Sequence, residues 1–373
     1  MKQNPFKYGQ VVTGKDYCKR GLLEDELISL IKRGQNTVLQ GERRAGKTSL
    51  IHQTVSRPTS QRLLYCDFLG IKTGEDLIQR IVQGIETIEQ QESLIKKVVR
   101  FIPNLTVSVS IDPVTGTPSL SPSLARNTYR PESLTGIIDF ISHLHQQSPL
   151  VVAFDEFQDC LNLKDAWATL AIMRSRIQFE DKICFLFAGS IRNYMWKIFQ
   201  DPDSPFFKSA LTLDVDASSL DNFSGFITRQ FRKGKRKLEK GLFDRIADVC
   251  FRNPGDIQQL CAALWDTTQE GDLITEKGFS QALVHVFHNE LRGYETILSD
   301  LSPQQSVVLK TLARLGGVSP LAGEFVQASG IAHTSSIKAA LTRLVAKRLL
   351  FLVGKEYRFV NPFFRLWLLH KRY

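Results

Sequence analysis

Residues 36–50 read NTVLQGERRAGKTSL, and GERRAGKT at 41–48 fills every position of the pattern G-x-x-x-x-G-K-[ST]. Each residue type there has a physical task. Gly41 and Gly46 permit backbone that a side chain would obstruct, so successive N–H groups can curl around a phosphate chain. The Lys47 ammonium is placed against the β- and γ-phosphates, and the Thr48 hydroxyl is placed to ligate Mg²⁺. Thr37-Val38-Leu39 reads as a short strand before the loop, and Ser49-Leu50-Ile51-His52-Gln53 opens a helix whose N-terminus faces the anion. The expected ligand is a nucleoside triphosphate. Its expected contacts are Gly41, Glu42, Arg43, Arg44, Ala45, Gly46, Lys47, Thr48 and Ser49.

Working outward, LVVAFDEF at 150–157 is an apolar strand that ends in two adjacent carboxylates. An Asp at such a strand end holds Mg²⁺ in phosphate-loop NTPases, which assigns Asp155. The neighbouring Glu156 can act as general base on the attacking water. ICFLFAGS at 183–190 is a third apolar run, and Ser190 at its end can sense the γ-phosphate, orient water or cap the next helix. Asn193 is a second candidate for that role. Together these residues predict hydrolysis, with Lys47, Glu156 and Ser190 as catalytic groups and ATP and Mg²⁺ as cofactors. No Asn-Lys-x-Asp signature for guanine occurs, so adenine is expected, with Val11, Val12 and Gly14 beside it.

Bulk properties narrow the class. A hydrophobic content of 43% and a charged content of 23% are those of an ordinary globular chain. No apolar run approaches the ~20 residues of a membrane span, and the N-terminus lacks an apolar signal core. The six cysteines form no C-x-x-C pair and several sit in apolar runs, which predicts reduced thiols and a cytoplasmic location. The net charge of +10 is unevenly spread. From residue 301 onward there are eleven Lys or Arg and two Glu, a net of +9, which leaves +1 over the preceding 300 residues. That asymmetry predicts a polyanion-binding module on a near-neutral body.

Strand candidates at 62–68, 150–156, 183–190 and 211–217 alternate with helical patterns at 75–100, 133–147 and 165–179, which predicts a parallel three-layer α/β sheet. An amphipathic helix at Leu22–Lys32 precedes the phosphate loop. Residues 103–122 alternate polar and apolar residues and then turn at 112–116, as an inserted β-hairpin does, either as a partner-contacting ribbon or as decoration. After 217 the pattern is helical, with no further strand expected before 350. The run RQFRKGKRKLEK at 229–240 holds seven basic residues and one acid, and reads either as nucleic-acid contact or as a solvated helix end.

The last 70 or so residues predict a winged helix-turn-helix. A helix at 302–315 and a short one near 320–328 lead to a third, capped by Thr334-Ser335-Ser336 and running to Leu349. Its buried face is Ile337, Ala340, Leu341, Leu344, Val345 and Leu349. Lys338, Thr342, Arg343 and Lys347 face outward, and a hairpin of 350–353 and 357–360 turns at Gly354-Lys355. Those four outward residues and Lys355 are the expected nucleic-acid contacts, which makes DNA the expected partner. A winged helix that contacts protein is the alternative.

The chain resembles the prokaryotic archaeal-type ATPases at the AAA+/STAND border, which are similar to origin-recognition initiators. The resemblance rests on YGQVVTG at 8–14 with Arg20 and Glu24, GERRAGKTSL, VVAFDEFQ, FAGS, RNPGDIQQLC and the closing FVNPFFRLWL. It implies a P-loop NTPase α/β core at 1–217, a helical lid at 218–300 and a winged helix at 301–373. It also implies an ATP-driven switch and a possible homo-oligomer. Two departures bear on assembly. Where the family tends to carry an Arg that acts on a neighbouring subunit's nucleotide, this chain has Lys208, which lacks the bidentate fork. The lid motif lacks a second-sensor Arg unless Arg252 substitutes.

Overall fold

Leu150–Asp155 is buried at every residue, as a strand in the interior of a parallel sheet must be. The computed structural model describes residues 3–55, 61–88, 105–111, 118–124, 131–190, 192–216 and 222–371. By internal packing the chain divides into two compact units, Gln10–Asn222 and Met1–Gly9 with Phe223–Tyr373.

In the first unit, strands β1 (Thr37–Gln40), β2 (Arg62–Asp67), β5 (Leu150–Asp155), β6 (Cys184–Gly189) and β7 (Leu211–Asp214) form one sheet in the order β2-β5-β6-β1-β7. All neighbours are parallel. Because β1 lies between β6 and β7 rather than beside β2, the loop that leaves it opens next to the ends of β5 and β6. Register brings Gln40 opposite Gly189 and Asp67 opposite Asp155. Period-2 alternation sends strand side chains to two separate cores. On one face Val152, Phe154, Phe185 and Phe187 meet α3 (Gly74–Ile88), α4 (Pro131–Gln147), α5 (Ala166–Ile177) and α6 (Arg192–Phe199). On the other, Leu39, Val151, Ala153, Leu186 and Ala188 meet α1 (Leu22–Lys32) and α2 (Lys47–Val55). The three-layer expectation is met.

The inserted hairpin is present as β3 (Leu105–Ile111) and β4 (Pro118–Leu124), antiparallel, with Leu105 opposite Leu124. Its expected turn at 112–116 lies outside the described residues, as does everything after Ile88 in the helix expected at 75–100.

The second unit holds α7 (Phe223–Lys233), α8 (Leu242–Val249), α9 (Pro254–Asp266) and the long α10 (Glu276–Ser299). The expectation of no strand before 350 fails. Lys237–Leu238 (β8) and Leu273–Ile274 (β9) pair in parallel, and two residues are too few for any periodicity to show. Asn4 and Phe6 also join this unit. Asn4 Nδ2 donates to Ala262 O at 3.1 Å, and the Phe6 ring lies 4.6 Å from that of Phe231.

The winged helix follows as α11 (Pro303–Leu315), α12 (Gly323–Ser329), α13 (Thr334–Ala346), β10 (Leu350–Val353) and β11 (Glu356–Phe359). Ser302 and Gln305 form a capping box on α11. The N-cap of α13 is His333 with no side-chain cap bond, not the Thr-Ser-Ser triplet, and the helix ends at Ala346 rather than Leu349. Val345 is 36% exposed, off the buried face of Ile337, Ala340, Leu341 and Leu344. A fourth helix, α14 (Pro362–His370), was not anticipated. Its signal was present, because Asn361 accepts from Phe363 N and Phe364 N and Pro362 takes the first turn. The Phe364 and Trp367 rings pack on Tyr294 of α10 at 5.1 and 5.3 Å.

Gly317 O accepts from Tyr357 N of the wing at 2.9 Å, and a Cβ at Gly317 would sit 1.8 Å from Tyr357 O. Gly317→Ala must therefore push the wing off the helices. We expect a loss of about 1–3 kcal/mol in denaturant titration, with nucleotide affinity unchanged.

Candidate functional site

The phosphate loop has no room for larger residues at its two glycines. A Cβ on Gly41 would lie 2.4 Å from Val215 O, and Gly46 takes φ +85 beside the Arg20 guanidinium. Arg44 also adopts a left-handed conformation, at φ 65. The loop curls around the Lys47 ammonium, which donates to Gly41 O at 2.9 Å and Glu42 O at 3.0 Å. Burial pulls the Lys47 ammonium below its ordinary value, while the Glu156 and Asp155 charges act in the other direction. An anion entering the loop would supply the counter-charge that the carbonyl dipoles only partly provide.

Two sequence-distant groups meet at the end of β5. Thr48 Oγ1 donates to Asp155 Oδ2 at 2.5 Å, and Asp155 Oδ1 accepts from Glu156 N at 2.9 Å. Asp155 is 4% exposed. Tyr65, whose hydroxyl donates to Asp155 Oδ2 at 2.8 Å, was not expected here. Burial first, then the Asp155 charge, pushes its phenol well up, so it remains a neutral donor. The His52 ring lies 5.0 Å from that of Tyr65, and burial lowers its imidazole while Asp155 opposes that.

Glu156 occupies the left-handed region at φ 49 and ψ 39. Its Oε2 accepts from Ser190 Oγ at 2.8 Å and from Gln158 Nε2. Asn193 is exposed on α6 and shares none of these bonds. The segment expected near the base is tied to α2, because Val12 N donates to Ser49 Oγ at 3.1 Å and Gly14 N to Gln53 Oε1 at 2.8 Å. Val11 is exposed and Val12 half-buried. Arg20, which sequence reading noted without a role, is 7% exposed and donates to Ala45 O.

Lys208 is not brought to this cluster. Its backbone N donates to Phe199 O and its ammonium lies 5.2 Å over the Phe207 ring. No group of three or more His, Cys, Asp or Glu that could hold a metal occurs among the described residues. A single Asp beside a Thr hydroxyl remains a fitting hard oxygen set for Mg²⁺ held mainly by phosphate. The glycine cradle and the buried ammonium likewise fit a triphosphate.

In the second unit Lys338, Thr342, Arg343, Lys347 and Lys355 are all exposed. Lys347 Nζ also donates to Asp300 O at 3.3 Å. The basic run at 229–240 is partly spent inside the fold. Arg236 is buried against Trp265 at 4.0 Å and bonds Thr268 O at 2.8 Å, and Lys235 pairs with Glu270 at 2.7 Å. Among the described residues no helix is long and apolar enough to cross a membrane.

The architecture matches a Walker-type ATPase of Pyrococcus abyssi at a TM-score of 0.66 and 18% identity, covering 98% of this chain and 99% of that one. An Orc1 protein of Aeropyrum pernix, solved in complex with DNA, matches at 0.49 and 13% identity over 95% of this chain and 92% of that one. Cdc6p of Pyrobaculum aerophilum matches at 0.46 and 12%, covering 100% and 98%. Residues 292–370 match a family described as a probable winged helix domain. No curated protein matches the chain. The chain shares its fold with that Walker-type ATPase, a parallel α/β sheet carrying the phosphate loop, and residues 292–370 add the winged helix.

Because Tyr65 donates to a buried carboxylate, Tyr65→Phe is expected to cost about 1–2 kcal/mol in denaturant titration while the sheet stays intact by circular dichroism.

Proposed function

We propose that this chain is an Mg²⁺-dependent ATPase switch that associates with DNA through its winged helix. The observation that carries the ATPase reading is the meeting of Lys47, Thr48, Asp155, Glu156 and Ser190 at one end of the sheet. Gly41 through Ser49 bind the phosphates, with Lys47 offsetting their charge. Thr48 and Asp155 hold the cation, and Val11 and Val12 flank the adenine. Glu156 takes a proton from water while Ser190 orients its carboxylate. Bound Mg·ATP supplies the electrophilic γ-phosphate and a divalent charge that stabilises the transition state. The functional division is a core at 1–217, a lid at 218–300 and a winged helix at 301–373. Lys208 serves in trans if the chain assembles with copies of itself.

DNA is favoured over other partners by the net +9 after residue 300 and by the exposed Lys338, Thr342, Arg343 and Lys355. A second reading, a winged helix that binds a protein partner, draws on the exposed Val318, Leu321, Val345 and Leu352. Salt dependence separates them, because phosphate contacts release counterions and apolar contacts do not.

Lys47→Ala is expected to abolish ATP binding in a fluorescent-nucleotide titration. Glu156→Gln should keep binding and lose about 10²- to 10⁴-fold in turnover. Wild-type turnover by the Glu156→Gln protein would remove that residue as base.

Replacing Lys338, Arg343 and Lys347 together with Ala should weaken duplex DNA binding and flatten the log-affinity against log-salt slope by about two to three units. DNA-free ATP hydrolysis should be unchanged. A chain truncated near residue 300 that kept full DNA affinity would move the contact to the run at 229–240.

A further inference from the structure

Gln158 is 1% exposed, in the 3-10 turn Phe157–Asn162 that follows β5. Besides bonding Glu156 Oε2, its Nε2 stands 3.5 Å from Asp159 Oδ1, and Asp159 Oδ2 in turn accepts from Gly70 N at 2.8 Å. With a carboxylate on each side, only the NH₂ end of the amide can face them, because the carbonyl end has no proton to give. That leaves Gln158 Oε1 buried without a hydrogen-bond partner. Stranding an amide oxygen in the interior is costly, and a half-turn of the side chain would only move the cost to two carboxylates.

The backbone is shaped to hold this arrangement. A Cβ at Gly189 would fall 2.7 Å from Gln158 Oε1 and 2.3 Å from Met195 Sδ, so only glycine beside Ser190 leaves the amide its space. The left-handed turn at Glu156 keeps its carboxylate within reach of both donors.

We infer that Gln158 is a positioning residue for ATP hydrolysis: its buried amide, with the Ser190 hydroxyl, pins Glu156 Oε2 and leaves Oε1 as the proton acceptor. The inference rests on the reading of Glu156 as base. In the step concerned, one water proton passes to Glu156 Oε1 as the water oxygen bonds to the γ-phosphorus. The bond from that phosphorus to the β–γ bridging oxygen breaks, and its electron pair leaves with ADP. Two donors on one oxygen fix the carboxylate's rotation, whereas Ser190 alone would fix only its distance.

The test uses the full chain with Gln158→Met and Gln158→Leu, both near glutamine in size and neither able to donate to Glu156. Steady-state ATPase, fluorescent-nucleotide affinity and the thermal midpoint are measured for each. We expect kcat to fall about 10- to 100-fold, the worth of one hydrogen bond to a charged group, with KM and nucleotide affinity within about twofold of wild type. Ser190→Ala combined with Gln158→Met should lose less than the product of the two single losses, since both donors act on the same oxygen. An active wild type with Gln158→Met at full kcat would overturn this inference alone. A fall in kcat matched by equal losses of affinity and thermal midpoint would assign Gln158 to packing and overturn it too. A wild type that binds ATP and never hydrolyses it would remove the ATPase reading, and this inference with it.

Discussion

The hydrogen bond from Thr48 Oγ1 to Asp155 Oδ2 joins residues 107 positions apart, and the geometry of the site hangs on it. For it to form, α2 must start directly at the mouth of β1, and β5 must end level with that mouth. Parallel pairing of β1 with β6 and of β6 with β5 imposes this levelling, because one slipped residue would turn Asp155 to the other face. The same register sets Ser190, just past β6, within 2.8 Å of the Glu156 carboxylate. Tyr65 closes the arrangement from β2, so three strand ends converge on two carboxylates.

The site holds charge in a buried place, and its carboxylates are answered more fully than its ammonium. Lys47 is enclosed by loop carbonyls and faces Asp155 and Glu156. Asp155 accepts three hydrogen bonds and Glu156 two. Unanswered charge at such depth would cost several kcal/mol, of order the stability of a whole domain. The carbonyls around Lys47 are the incomplete part of this balance, since dipoles substitute poorly for a full anion. A loop built this way favours occupancy by phosphate on electrostatic grounds.

In the second unit the organising contact is apolar. Tyr294 of the long α10 receives Phe364 and Trp367 of α14, and Ile337, Ala340, Leu341 and Leu344 anchor α13 from beneath. With that face buried, Lys338 and Arg343 are exposed, while Lys347 at the helix end also donates to Asp300 O. Arg236 shows the opposite fate, since its guanidinium is consumed by Trp265 and Thr268. Basic residues of the sequence thus differ in whether they can meet a polyanion, and local density does not decide it.

The sequence alone determined the parallel α/β core, the phosphate loop, the acidic strand end and the winged helix, because each is written in local spacing. Continuous apolar runs and two glycines with Lys-Thr act within a few residues of themselves. Tertiary structure decided the rest. Tyr65, Gln158 and Arg20 join the site through register and turn geometry, to which no local pattern corresponds. Two-residue strands β8 and β9 are below any detectable period, and whether Val345 or Arg236 is exposed depends on which neighbours arrive. Lys208, expected from the resemblance to act on a neighbouring copy's nucleotide, lies over Phe207 in its own loop. Spacing along a chain specifies what a segment can form, but only the packed neighbours specify which groups a side chain will meet.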